Sequence, residues 1–397
     1  MPDNASSITS RLLSEVKEKA YREFVVLAVE PPVCSFFCIH SKIIKSYFGI
    51  MEEKTYKVTI GIPVYNVEKY IRLTMDSALA QTFESIEFLV LDDCGSDSSI
   101  DIIREYQNMH PRGKDIRIVR QPHNGGIGEA RNKVVKEAQG RYLYFLDADD
   151  TIAPATIELL YGQAQKYDAD IVYGSYQRIE EFNGETKKRD YSYPHIHFLK
   201  ENEFAERVYQ DYNFLQASTW NFLIDINVIR NNHLRFMDIN YWEDCVFTMD
   251  LPIYITRAVL LPEITYYYYC RFGSLSNYQQ RDYISKGEIQ ATIKAMEEIK
   301  AQSDLLRDKP YFAKRMNKVM LTCFYVTCAI LKNQASINPH FSKREIRDVM
   351  SYPLSLCQVL NLRLWVLRNL MFYLLGQLSP VFFVPLVRYV GKRRGLI

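Results

Sequence analysis

Three carboxylates fall within four positions at the end of an apolar run: "YFLDADD" carries Asp147, Asp149 and Asp150. Mutual repulsion disfavours that density unless positive charge sits among the acids. A hard divalent cation supplies it, and oxygen ligands suit Mg2+ or Mn2+, which take one or two protein carboxylates and complete their shell with substrate phosphates. "VLDDCGSD" provides a second acidic strand end, Asp92 and Asp93. Two such ends facing one cleft predict a nucleotide diphosphate site. Asp150 or Thr151 equally suits a cap on the following helix. A third acidic pair, Glu243 and Asp244 in "NYWEDCVFTMDL", precedes an apolar stretch, where acids also favour the first turn of a helix.

The segments around these acids must hold them together. "KVTIGI" (57–62) is a β-rich run stopping at Pro63, followed by a helical pattern with Asn66 as N-cap. "IEFLVLD" (86–92), "DIRIVR" (115–120) and "RYLYFLD" (141–147) read as three more strands. Helices are expected between them, one capped by Ser96 or Asp97 and one over 127–138. Nearly all-apolar strands alternating with helices predict an α/β fold with a mostly parallel sheet covered on both faces. Ligands then bind beyond the carboxyl ends of the strands, where Tyr65, Asp92, Asp93 and Asp147 collect. "GGIGEA" (125–130) mimics a dinucleotide fingerprint, but Arg131 occupies the third small position and the run follows the third strand, not the first.

Bulk properties restrict the function classes. The 397 residues suffice for two or three domains, and a net charge of +2 gives no general attraction to nucleic acid. The eight cysteines form no CxxC pair and suit reduced, buried thiols in a cytoplasmic protein. Residues 1–50 carry no signal-peptide pattern, and regular patterning begins abruptly after Met51, so they are expected to be an extension outside the functional unit. From 281 the character is helical. Residues 369–387 carry no charge, "RYVGKRR" follows, and no acid occurs after Asp348. Pro380 and Pro385 oppose a straight spanning helix, so this segment is expected either to close a buried hairpin or to lie at the inner face of the cell membrane.

"VTIGIPVYNVEKYI", "LDDCGSDSS", "NGGIGEARN", "YLYFLDADD" and "WEDCVF" stand in the order and spacing of family 2 glycosyltransferases of the GT-A fold, and the chain resembles the bacterial surface-polysaccharide branch over roughly residues 56 to 275. The resemblance implies a GT-A domain over 51–280, a helical region over 281–397, and inverting transfer of a hexose from a nucleotide diphosphate donor, UDP-linked, to a saccharide or lipid-linked acceptor. It implies that Pro63 and Tyr65 line the base pocket, that Asp93 accepts from the uracil ring, and that Asp92 lies nearby. Gly125, Gly126 and Arg131 would approach the donor. Asp147 would contact ribose or metal, and Asp149 would bind the Mn2+ or Mg2+ ion. Arg271 and Ser274 would belong to a loop closing over the diphosphate. Asp244 would be the catalytic base, with Glu243 positioning the acceptor or Asp244. Cys94 departs from the family's usual glycine or asparagine. Trp220 and Trp242 suit sugar platforms or core packing, and the tyrosines of "YYYYC" (266–270) need only strand propensity. A nucleotidyltransferase would need a basic triphosphate loop near the first strand, which "IPVYNVEKY" lacks. A non-catalytic carbohydrate-binding scaffold would have lost the metal or base acids, and both sets are present.

Overall fold

The computed structural model describes residues 56–182, 185–211, 214–239, 243–270 and 283–397. The expectations for residues 1–50, Met51, Trp242, Arg271 and Ser274 lie outside the described residues. Thr55–Ile397 forms one compact unit.

The first half alternates strand and helix: β1 (Val58–Val64), α1 (Ile71–Leu79), β2 (Ile86–Asp92), α2 (Ser99–Met109), β3 (Ile116–Arg120), α3 (Gly126–Glu137) and β4 (Tyr142–Phe145). The four strands pair in parallel in the order β3-β2-β1-β4. The sheet continues through β9 (Phe222–Asp225), β6 (Ile171–Phe182), β10 (Ala258–Cys270) and the short β5 (Thr151–Ile152), with β7 (Glu185–Tyr191) and β8 (Ile196–Phe198) pairing at its margins. β9 runs antiparallel to both β4 and β6, so the sheet is mixed beyond β4.

Side-chain alternation sorts the helices. Val58, Ile60 and Ile62 of β1 join a core with Ile71 and Met75 of α1, Ile103 of α2, and Ile157 and Leu160 of α4 (Thr156–Tyr167). Leu89 and Leu91 of β2 point the other way, into a core with Val134 of α3, α5 (Glu203–Gln210), α6 (Ile226–Asn231) and α7 (Glu243–Asp250). At Gly61 a Cβ would come within 2.3 Å of Val134, so glycine lets α3 lie close against β1. That second core runs without a break into α8 (Lys286–Asp304), α9 (Phe312–Lys332), α10 (Lys343–Asp348), α11 (Leu356–Asn361), α12 (Val366–Gln377) and α13 (Pro380–Arg393).

Two local expectations are corrected. β1 does not stop at Pro63, which pairs with Leu91 while Val64 pairs with Asp92. Even-numbered residues of β1 bond to the β2 side and odd ones to β4, and the β4 ladder ends with Leu146 N donating to Gly61 O. Pro63 therefore faces a ladder that has already ended, and its missing N–H costs nothing. Asn66 does not cap α1, which begins at Ile71 after Tyr70. Its backbone is left-handed, φ 52°, and its side chain accepts from Ser96 N at 2.8 Å, tying the loop after β1 to the loop after β2.

Candidate active site

The carboxyl ends of β1, β2 and β4 form one rim of the sheet. Tyr65 stands 49% exposed just past β1, whereas Pro63 is buried within the strand. Asp92 and Asp93 are buried. Asp92 accepts from Cys94 N at 2.9 Å and lies 3.6 Å from Arg120. Asp93 accepts from Gln121 Nε2 at 2.6 Å, Gly125 N at 2.8 Å and Gly126 N at 3.1 Å. Two of a carboxylate's roughly four acceptor sites thus fix the glycine loop at the start of α3, a third takes Gln121, and about one remains. Gly126 sits at φ 77°, a conformation that glycine adopts without strain.

The aspartates after β4 have separate fates. Asp150 caps no helix. It is buried and accepts from Tyr266 Oη and Tyr269 N, both at 2.8 Å. Burial pushes its carboxyl well above the usual range, and the charges of Asp149 and Asp147 add to this. Tyr266 Oη also receives Asp147 N at 3.3 Å, so the first tyrosine of "YYYYC" does more than favour a strand: it braces the acidic turn. Trp220 is buried, with its ring stacked 4.4 Å from Tyr266 and edge-on to Tyr176, which makes it core rather than platform. Asp147 and Asp149 remain partly exposed.

Arg131, on α3, joins this turn to α7. Its guanidinium donates to Glu243 Oε1 at 2.8 Å and to Asp147 Oδ1 at 3.2 Å, with the side chain only 5% exposed. The buried Arg131 Nε has no hydrogen-bond partner among the described residues. Burial works against this cation, but Asp147, Glu243 and Asp244 together hold its pKa above the ordinary value. Burial raises the Glu243 pKa, opposed by Arg131. Asp244 is pushed up to about 7, first by burial and then by the Glu243 charge, with Arg131 again opposing.

Two further residues of "GEARN" complete the support, and sequence reasoning missed both. Asn132 donates Nδ2 to Phe236 O and accepts from Phe236 N, each at 2.8 Å, pinning the loop that leads towards α7. Gly128 passes so close that a Cβ would lie 2.3 Å from Met237 O. Their adjacency to Arg131 in the chain was the available signal. The far end of α7 is held from the C-terminal region. Arg315 of α9, fully buried, donates to Met249 O at 2.6 Å and Tyr209 Oη at 2.8 Å and pairs with Asp250.

A cavity of about 830 Å³ opens beside α7, lined among others by Tyr176, Tyr191, Tyr193, Arg207, Thr248 and Lys318. Tyr176 and Tyr191 stack nearly flat at 4.7 Å. Thr248 stands one helical turn from Asp244 and donates to its carbonyl at 2.7 Å, so the Asp244 side of the helix continues into the cavity.

The fold and this convergence of acids define a GT-A nucleotide-diphospho-sugar transferase architecture. Residues 59–231 match the Glycosyl transferase family 2 model. Among relatives, it is 30% identical over 233 residues to glycosyltransferase GlyA of Streptococcus pneumoniae, covering 55% of this chain and 31% of that protein. It is 29% identical over 215 residues to a poly(ribitol-phosphate) beta-glucosyltransferase of Bacillus spizizenii, covering 53% of this chain and 32% of that protein. The chain thus spans about a third of the length of these two relatives. The structure of S. aureus TarS 1–349 in complex with UDP-GlcNAc superposes with a TM-score of 0.52 at 20% identity, covering 85% of this chain and 92% of that one.

Proposed function

We propose that this chain is an inverting glycosyltransferase of the hexosyltransferase type, which moves a sugar from a UDP-linked donor to a hydroxyl of a saccharide or lipid-linked acceptor in cell-surface polysaccharide synthesis. The observation that carries the reading is Arg131, whose one guanidinium binds Asp147 of the acidic turn and Glu243 of the α7 pair. Metal-type acids and base-type acids therefore share one site. Tyr65 offers an exposed ring to a nucleobase, and Asp93 offers its remaining acceptor capacity to the uracil ring. Gly126 and its loop, held by Asp93, lie near the diphosphate.

Asp147 and Asp149 fit a Mg2+ or Mn2+ ion. Among the described residues no group of three or more His, Cys, Asp or Glu could hold a metal, and two carboxylates completed by substrate phosphates are what such an ion needs. When bound, the ion would neutralise charge on the departing nucleoside diphosphate. Asp244 takes the proton from the acceptor hydroxyl as its oxygen bonds to the anomeric carbon. The opposite bond to phosphate breaks, and its electron pair leaves with the nucleoside diphosphate. Glu243, fixed by Arg131, raises the basicity of Asp244 and keeps it near neutrality. The cavity beside α7 holds the acceptor saccharide, whose rings lie against the partly exposed Tyr191.

Purified full-length protein incubated with a panel of nucleotide sugars and Mn2+ should release UDP from a UDP-hexose. Asp244→Asn should bind donor normally but transfer at least about a hundredfold more slowly, the scale of general-base catalysis. Near-normal transfer by that variant would move the base elsewhere in the cleft.

A further inference from the structure

The α12–α13 hairpin has two apolar faces, and only one is buried. Asn369, Phe372 and Leu375 of α12 and Phe383 and Val387 of α13 pack inwards, with Phe372 stacked 4.7 Å from Phe324 of α9. A surface helix ordinarily presents charge on its other side. Here Leu367 is 85% exposed and Leu374 49% on α12, and Phe382 is 71%, Leu386 41% and Tyr389 55% on α13. Positions 382, 386 and 389 form one helical stripe, which ends at Arg393, its guanidinium 5.1 Å from the Tyr389 ring centroid. Both helices also pack against α9, and each carries its exposed apolar residues on the side opposite its buried ones.

Charge selects the occupant. From Val349 to Ile397 there are six Lys or Arg residues and no Asp or Glu. Arg363, Lys392, Arg393 and Arg394 are exposed. Among the described residues no helix is long and apolar enough to cross a membrane. A hairpin that is apolar along its outer stripe, basic near its ends and without an acid of its own matches an anionic bilayer surface, with Glu345 and Asp348 of the neighbouring α10 paired to Lys286, Arg344 and Arg347.

We propose that the outer face of this hairpin docks on anionic membranes, with Phe382, Leu386, Tyr389, Leu367 and Leu374 entering the headgroup boundary and the flanking bases resting on lipid phosphates. The helix α9 gives the docking a consequence. Lys318 and Thr322 on its front line the cavity beside α7, while Asn317 and Phe324 on its back meet the hairpin. Docking would therefore hold that cavity two helix layers from the bilayer surface, α9 and then the hairpin, roughly 20 Å at the spacing of packed helices, within reach of an acceptor carried on a lipid. That last consequence rests on the transferase reading; the docking does not.

The test is flotation of the full-length chain with phosphatidylcholine vesicles and with mixed phosphatidylcholine–phosphatidylglycerol vesicles, at low and high salt. The protein should float with the anionic vesicles only, and less so at high salt. Phe382→Ser combined with Leu386→Ser should lower partitioning about tenfold or more, as expected when two apolar side chains no longer leave water. The thermal midpoint and UDP binding should not change. Failure to float with anionic vesicles, or equal flotation of the double variant, would overturn the proposal. So would a concentration-dependent dimer that the double variant dissolves, since it would give the face to a second copy of the chain. UDP release from a donor sugar in vesicle-free solution, measured on the same preparations, reports on the transferase reading separately.

Discussion

Replacing Arg131 with Met asks whether one cation assembles the site. Met keeps an apolar stem near Phe236, over whose ring the guanidinium lies at 5.7 Å, but it removes the charge and all its hydrogen bonds. Glu243, whose side chain is 10% exposed, would then be buried without its cation. Removing one partner from a buried pair costs about 3–5 kcal/mol, because the remaining charge stays desolvated. Asp147 is 26% exposed, so water screens part of its loss, and about 3 kcal/mol is the expected destabilisation. Glu243→Gln alone also breaks the pair. Added to Arg131→Met, however, it should restore stability, since it removes the stranded charge. Chemical denaturation of the wild type, both single variants and the double variant measures this as a cycle. The reasoning fails if Arg131→Met loses less than about 1 kcal/mol, or if the two single effects add to within about 0.5 kcal/mol, as they do for sites that do not interact.

Asp244 titrates near 3.9 in an unfolded chain but at about 7 when folded, so its proton is bound more tightly in the native state across that window. The resulting stabilisation is fully present below about pH 4 and is lost as pH rises through about 7. Glu243 contributes with the same sign and Arg131 against it, with Asp147 and Cys245 the other titratable groups nearby. Asp244→Asn should flatten the unfolding free energy between about pH 4 and about pH 7, while wild-type transfer rises as pH passes through about 7; an unchanged slope would refute this. Asp149→Ala should weaken Mn2+ and UDP binding together in calorimetric titration, since each completes the other's shell; normal binding would place the metal elsewhere. Cys94 holds a left-handed backbone, φ 59°, so Cys94→Asn should raise stability by up to about 1 kcal/mol. A fall in thermal midpoint would show that the thiol contact to Gln121 O at 3.0 Å outweighs the strain.

The parallel half of the fold was readable because its strands are covered on both faces, so β2 appears in the chain as the unbroken run "IEFLVLD". Asn66 misled because capping and left-handed turns use the same side-chain chemistry, and its actual partner, Ser96, comes from another loop. The acids were readable for a local reason: repulsion makes their density improbable without a use. Their neighbours were not, because they arrive from far along the chain, Tyr266 to Asp150 across 116 positions and Arg131 to Glu243 across 112. A sequence shows that Arg131 is charged but not that it is buried, and burial changes its role. An exposed arginine would be available to the donor phosphates, whereas this one has its charge divided between two carboxylates. Asp147, Asp149 and Asp150, adjacent in the chain, thereby acquire different characters. Asp147 pairs with Arg131, Asp150 is buried against Tyr266 and Tyr269, and Asp149 stays partly exposed beside them. The crowding is tolerated because each acid answers to a different neighbour, and a divalent ion need reconcile only two of them.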